Sequence, residues 1–162
     1  MLTIILFGGN STQTVDLFRQ AEEIISTSFG DIIEKSSIYK SPPYGFEADT
    51  DFFNKVIEVK TKLTPNEQIF KLLDIEKILG RKRNINCGYE SRCIDLDILF
   101  IDDLIIETSY LTVPHPRLHL RRFTLVPLNE KWSYKFHPKL KKTMKELLLE
   151  CSDESEVVVS SE

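Results

Sequence analysis

Ile94-Asp-Leu-Asp-Ile-Leu-Phe-Ile101 is the stretch on which the reading of this chain turns. Its apolar, β-branched and aromatic content predicts a strand, and residues i and i+2 of a strand share a face. Asp95 and Asp97 therefore project together, while Ile94, Leu96 and Ile98 face a core. Aspartate is depleted from strands, so two in one apolar run need a reason. Neighbouring carboxylates repel unless a cation or bases intervene. One reading is a magnesium site, since Mg²⁺ takes one or two carboxylates plus phosphate oxygens. The other is a solvated polar strand face.

Just upstream lie Arg81, Lys82, Arg83 and Arg92, the last only three positions before Asp95. They read as a solvated charged loop or, beside an acid pair, as phosphate ligands, because guanidinium grips phosphate with a bidentate fork. Before them, Thr64-Pro65-Asn66-Glu67 has the form of a helix start: capping Thr, Pro at the first position, Glu three residues on. Ile69, Leu72, Leu73, Ile75 or Glu76, and Leu79 carry that helix to a stop at Gly80. Phe52–Val59 predicts a third strand, Asp31–Tyr39 a second, and Ser41–Asp51 a loop. Val15, Leu17, Phe18, Ala21, Ile24 and Ile25 recur at helical spacing up to about Ser28. Residues 2–7 predict the first strand, and Gly8-Gly9-Asn10 a turn with Asn10 or Ser11 as helix cap.

Downstream, Asp102-Asp103 predicts a tight turn into a strand near Leu104–Ile106. A loop (Thr112–Leu120), a helix (Arg122–Leu128) and a closing helix (Met144–Cys151) follow. This order resembles an α+β fold: a ferredoxin-like βαββαβ core, an antiparallel sheet with helices on one face, and a C-terminal mixed extension. Residues 1–150 form one domain and 151–162 an acidic tail, which either frays or adds an edge strand through Val157–Val159.

The chain has 162 residues, 41% apolar and 28% charged. These values suit one globular domain and exclude disordered, collagen-like and disulfide-scaffold classes. No run reaches the roughly 18–20 apolar residues of a membrane span. Met1–Phe7 lacks a basic n-region, so it reads as a strand and not a signal peptide. The net charge is −4; from Glu150 onward there are five acids and no base, which leaves 21 bases against 20 acids in the body. Bulk nucleic-acid binding is not expected. Three cysteines without CxxC spacing suit a reducing cytoplasm.

Three further groups carry possible chemistry. Val113-Pro114-His115-Pro116-Arg117 is followed by His119, Arg121 and Arg122. His115 suits a phosphate donor better than a zinc ligand, because Pro116 interrupts a helix and no third ligand is evident. His119 and His137 read as surface or core histidines. Phe52, Asn54 and Phe123 are either core residues or a stacking platform for a flat heterocycle with an amide at its edge.

Taken together, Phe7-Gly-Gly-Asn10, Ser41-Pro-Pro-Tyr-Gly45, Phe52-Phe-Asn54, Gly80-Arg-Lys-Arg83, Arg92-Cys-Ile-Asp-Leu-Asp-Ile-Leu99, Val113-Pro-His115 and Arg121-Arg-Phe123 closely resemble the 6-hydroxymethyl-7,8-dihydropterin pyrophosphokinase family of the folate pathway. The resemblance covers about residues 1–150. It implies an ATP-dependent diphosphotransferase: the hydroxymethyl oxygen of the pterin attacks the β-phosphorus of ATP, and AMP leaves. It implies that Asp95 and Asp97 hold two Mg²⁺ ions, with Arg81, Arg83 and Arg92 completing the catalytic set. Arg92, His115 and Arg121 would contact ATP, with Glu76 beside the nucleotide. Phe52 and Phe123 would sandwich the pterin, Asn54 would bind its edge, and backbone groups around Pro42–Tyr44, with Pro43 and Tyr44 as its named members, would complete the pocket. A cytoplasmic monomer with small-molecule substrates, no nucleic acid and no membrane is expected.

The chain departs from the family pattern at three places. It has Gly9 where Ser is common, Phe52 where Tyr is frequent, and Cys87-Gly-Tyr-Glu-Ser91 where a Trp- and Pro-containing loop is usual. Two other classes remain open: another metal-dependent phosphotransferase on the same acid pair, and a ferredoxin-like RNA or ligand-binding module. Central acids and a neutral body argue against the module.

Overall fold

The computed structural model describes residues 1–42, 51–80 and 94–161. In chain order the elements are β1 (Leu2–Gly9), α1 (Thr14–Ser28), β2 (Asp31–Lys35), β3 (Tyr39–Ser41), β4 (Phe52–Lys60), α2 (Pro65–Ile78), β5 (Asp95–Ile101), the short pair β6 (Ile106–Glu107) and β7 (Thr112–Val113), a 3₁₀ turn (Leu118–Leu120), α3 (Arg122–Lys131), α4 (Met144–Glu150) and β8 (Val158–Val159).

The main sheet runs β5-β1-β4-β3-β8, and β2 also pairs with β4. Every strand pair described is antiparallel. β2 lies against Ile57–Lys60 and β3 against Phe52–Asn54, so they are successive parts of one edge. The single strand expected over Asp31–Tyr39 is broken at Ser36. There the hydroxyl accepts the Val56 amide at 2.9 Å and the Ser36 amide donates to the Val56 carbonyl at 2.8 Å.

Both faces of the sheet are covered: α1 and α2 share one face, as expected, and the C-terminal helices take the other. On the first face α1 (Leu17, Phe18, Ala21, Ile25) and α2 (Leu72, Ile75) pack on Ile5, Phe7, Ile57, Val59, Leu96 and Ile98. On the second, α3 (Leu125, Leu128), Trp132 and α4 (Met144, Leu147) cover Ile4, Leu6, Val56, Leu99 and Phe100. Alternation along β1 and β4 sends successive apolar side chains to opposite cores. The C-terminal elements thus build a second hydrophobic layer.

α2 starts as its sequence indicates. The Thr64 hydroxyl accepts the Glu67 amide at 3.3 Å, and the Glu67 carboxylate accepts the Thr64 amide at 2.8 Å. Gly80 follows its end with φ +94°, a left-handed value that glycine adopts without a Cβ clash. The N-terminal turn differs from the expectation of one at Gly8–Asn10, because β1 runs on through Gly9. Gly8 and Gly9 remain in β1, opposite Asn54 and Phe53. Neither Asn10 nor Ser11 caps α1, whose first residue is Thr14 and whose cap position, Gln13, makes no side-chain capping bond. The described part of the tail adds an edge strand: β8 pairs with β3, and the Ser160 amide donates to the Ile38 carbonyl at 2.8 Å. Among the described residues no helix is long and apolar enough to cross a membrane.

Candidate active site

α3 and α4 cover only part of the second face of the sheet. The ends of β1, β4 and β5 near Gly8, Asn54 and Asp95 stay clear of them, and a cavity of about 650 Å³ opens there. That volume falls in the range of small-molecule sites, roughly 300–1,000 Å³. The register sets the floor: Asp95 lies beside Gly8, Gly8 beside Asn54, and Asp97 beside Leu6. Strand periodicity then turns Asp95, Asp97, Leu6, Gly8, Phe52 and Asn54 to the same side, and all six line the cavity. Opposite stand Arg117, Leu120, Arg121 and Phe123, from the 3₁₀ turn and the start of α3, with Asp153 and Ser155 from the tail.

Of the residues singled out from sequence, Phe52, Asn54, Asp95, Asp97, Arg121 and Phe123 are therefore brought together. Asp95 and Asp97 are half-buried, while Leu96 and Ile98 between and beyond them are in the first core. Two hard oxygen donors on one strand face fit a magnesium ion. Among the described residues no further His, Cys, Asp or Glu completes a group able to hold a metal. An ion there would keep positions open for phosphate oxygens and water.

Asn54 is buried, and its Nδ2 donates to the Phe7 carbonyl at 3.2 Å. That bond leaves Oδ1 as the acceptor the side chain can offer a ligand. Gly8 makes room for it, because a Cβ at Gly8 would lie 3.0 Å from Asn54 Nδ2. The Arg121 guanidinium sits 5.6 Å from the centroid of the Phe123 ring, a cation–π pair that orients both groups.

His115 and Glu76 are not among the residues lining the cavity. The His115 amide donates to the Leu99 carbonyl at 3.0 Å, and its Nδ1 accepts the Arg117 amide at 3.1 Å. Burial, with Arg121 and Arg117 adding repulsion, holds its pKa down at about 4, so the ring is neutral. With Nδ1 accepting, the proton sits on Nε2. Glu76 is 3% exposed on α2, behind β5, and its Oε2 accepts the Leu96 amide at 2.7 Å. It thus holds the backbone between the two aspartates. Pro43, Tyr44, Arg81, Arg83 and Arg92 lie outside the described residues.

Sequence reasoning missed Gly8 and Gly9 as cavity floor, and Arg117, Leu120, Asp153 and Ser155 as wall. For the glycines a signal was present, since glycine inside a strand often marks a close approach. For Asp153 none was local. Its Oδ2 accepts the Arg122 amide at 3.0 Å, and its Oδ1 accepts the Ser155 amide at 2.9 Å and also the Ser155 hydroxyl. Burial pushes its pKa up, but the Ser155 hydroxyl and the two amides outweigh that and hold it below the usual carboxylate value.

Residues 4–132 match the family described as 7,8-dihydro-6-hydroxymethylpterin-pyrophosphokinase (HPPK). A 2-amino-4-hydroxy-6-hydroxymethyldihydropteridine pyrophosphokinase of Aquifex aeolicus is 37% identical over 147 residues, 90% of each chain. One from Bacillus subtilis is 38% identical over 130 residues, 80% of this chain and 77% of that relative. Among solved structures, wild-type Plasmodium falciparum HPPK-DHPS superposes with a TM-score of 0.73 at 16% identity. That match covers 92% of this chain but 40% of the larger one, and likeness at this identity concerns the fold alone. The chain belongs to the HPPK family.

Proposed function

We propose that this member of the pyrophosphokinase family transfers the β,γ-pyrophosphoryl group of ATP to the hydroxymethyl oxygen of 6-hydroxymethyl-7,8-dihydropterin, releasing AMP, in folate biosynthesis. The observation that carries the reading is the shared cavity: an acid pair on β5 faces the same space as Asn54, Phe52 and Phe123. That combination suits a substrate with a flat polar ring and a reacting oxygen close to a polyphosphate.

In this reading Phe52 and Phe123 stack the pterin, and Asn54 Oδ1 accepts from its N–H edge. Arg121, oriented by Phe123, and neutral His115, through its Nε2 proton, bind phosphate oxygens. Arg81, Arg83 and Arg92 belong to the same phosphate-binding set, and Pro43 and Tyr44 to the pterin pocket. Glu76 acts from behind the sheet, on the nucleotide side, by fixing the Leu96 amide. Asp95 and Asp97 would hold two Mg²⁺ ions, which would supply positive charge to the triphosphate. The pterin hydroxyl oxygen forms a bond to the β-phosphorus and gives up its proton to solvent water. The bond from that phosphorus to the α–β bridging oxygen breaks, and AMP departs with that oxygen. Positioning and charge carry the reaction, as in phosphoryl transfer generally.

The strand order around β1 and β4, with α1 and α2 as crossovers, supports a ferredoxin-like βαββαβ core to which α3, α4 and the tail are appended. We also read residues 1–150 as the catalytic domain, 151–162 as an acidic appendage, and the protein as a cytoplasmic monomer acting on small molecules without nucleic acid or membrane.

The test is product analysis with Mg²⁺, ATP and the pterin, resolving AMP from ADP. Pterin-dependent AMP that disappears in Asp97→Ala is the expected result. ADP or free pyrophosphate as product would overturn the reading in favour of another phosphotransferase.

A further inference from the structure

α3 begins without a cap of its own. Its first residue is Arg122, and the cap position, Arg121, makes no side-chain capping bond. The orphan amide of Arg122 is instead taken up by Asp153 Oδ2 at 3.0 Å, from 31 positions further along the chain. A carboxylate there also suits the positive end of the helix dipole. The other carboxylate oxygen holds Ser155, and both residues line the cavity. The tail then runs to β8, which pairs Val158 with Lys40 and Val159 with Tyr39. β3 in turn ends at Ser41, which lines the cavity wall with the next residue, Pro42. The far end of α3 is tied to the same edge, since the Glu130 carboxylate accepts the Tyr39 hydroxyl at 2.6 Å and the Ser37 amide at 3.0 Å.

The acidic segment is therefore a strap between the two sides of the cavity, and it lies beyond residue 132, where the family match ends. We infer that Asp153 is a positioning residue of the active site: it fixes the start of α3, and so the Arg121–Phe123 pair, against the sheet, while β8 anchors the strap to the edge that carries Ser41. The inference rests on the proposed reaction for the meaning of that pair. Its neighbours Glu154 and Glu156 are exposed and serve no such contact.

The experiment compares wild type, Asp153→Ala, Asp153→Asn and Glu154→Gln in the full chain. Three readouts are taken: steady-state AMP formation, equilibrium titration with the pterin, and amide hydrogen exchange of the first turn of α3. Loss of a cap corresponds to about a 3- to 30-fold effect. Asp153→Ala should raise the pterin KM and dissociation constant by about that factor, with a smaller change in kcat, and should speed exchange at Arg122 and Phe123. Asp153→Asn keeps an acceptor and should recover most of the loss. Glu154→Gln should match wild type. Faster exchange in Asp153→Ala with unchanged pterin affinity and KM would overturn the inference, because the contact would then be structural only. An equal effect of Glu154→Gln would overturn it too, since net tail charge would be the cause. If wild type binds the pterin yet makes no AMP, the proposed reaction fails, and the titration and exchange still decide the role of Asp153.

Discussion

Acidification gives a test of the packing that needs no substrate. His115 and His137 are both held at a pKa of about 4, against 6.5 for a free imidazole. Burial is the main cause at each. Arg121 and Arg117 add to it at His115, and His119, Lys139 and Lys135 at His137. The unfolded chain takes up these protons near pH 6.5, and the folded chain does not until the pH nears 4. Fewer protons on the folded state mean that stability is full above about pH 6.5 and falls as the pH drops toward 4. Each site loses about 2 kcal/mol between about pH 7.5 and 5.0 at most, from roughly 1.4 kcal/mol per unit of displaced pKa. His137 is 3% exposed and should show nearly all of this. His115 is half-buried, and solvent screening lowers its share.

The assay is urea unfolding across that pH window, which lies mostly above carboxylate titration. The comparison is wild type against His137→Asn. Asparagine does not titrate, yet offers an acceptor to the Lys139 and Leu140 amides, which His137 Nδ1 accepts at 3.2 and 2.9 Å. On acidification wild type should lose about 2 kcal/mol more than the variant. Parallel curves for the two proteins would refute the argument, because His137 would then take up its proton equally in both states.

Three further outcomes follow from the site. Asp97→Asn should cut pterin-dependent AMP formation by about 10²–10³-fold, typical for losing a group that stabilises transition-state charge, with the fold retained by circular dichroism. Gly8→Ala should raise the pterin KM by about tenfold with a smaller change in kcat, since the new methyl crowds Asn54 Nδ2 at 3.0 Å. Glu76→Ala should cost about 2–3 kcal/mol in thermal or urea unfolding, because the buried Leu96 amide loses a charged acceptor at 2.7 Å, whereas Glu76→Gln should recover part of it.

What was legible in the sequence was local. The capping box at Thr64 and the alternation of Asp95 and Asp97 with Leu96 and Ile98 act over a few residues, and the structure keeps both. Gly8-Gly9 misled because glycine favours turns only where nothing else claims its backbone, and here β4 and β5 pair with Gly8 from either side. Ser11 resembles a cap, yet its hydroxyl accepts the Gln13 amide within a turn ahead of α1. Asp153 was illegible for a different reason. An acid-rich end reads as solvated, and its partner at Arg122 is set by the packing of α3 and α4, which no nearby residue announces. The wall of the cavity was therefore harder to foresee than its floor.

The floor depends on an irregularity that sequence periodicity does not show. Ile5 pairs with Ile98 and Ile4 with Phe100, so Leu99 has no opposite number on β1. This bulge resets the alternation: Asp95, Asp97 and Leu99 share one face, and Phe100 joins Leu99 in the second core instead of turning to the first. The Leu99 carbonyl accepts the His115 amide at 3.0 Å. One extra residue therefore does two things. It lets Ile94, Leu96 and Ile98 fill the α1–α2 core while the acids face the cavity, and it docks the His115 segment beside them. Without it, the pairing that places Phe100 and Ile101 in their present cores would turn Asp95 and Asp97 into the α1–α2 side, where they would meet a largely apolar core and the buried Glu76 carboxylate. The acid pair and the bulge are thus one feature: neither position on β5 is tenable with the apolar end of the strand unless the register shifts between them.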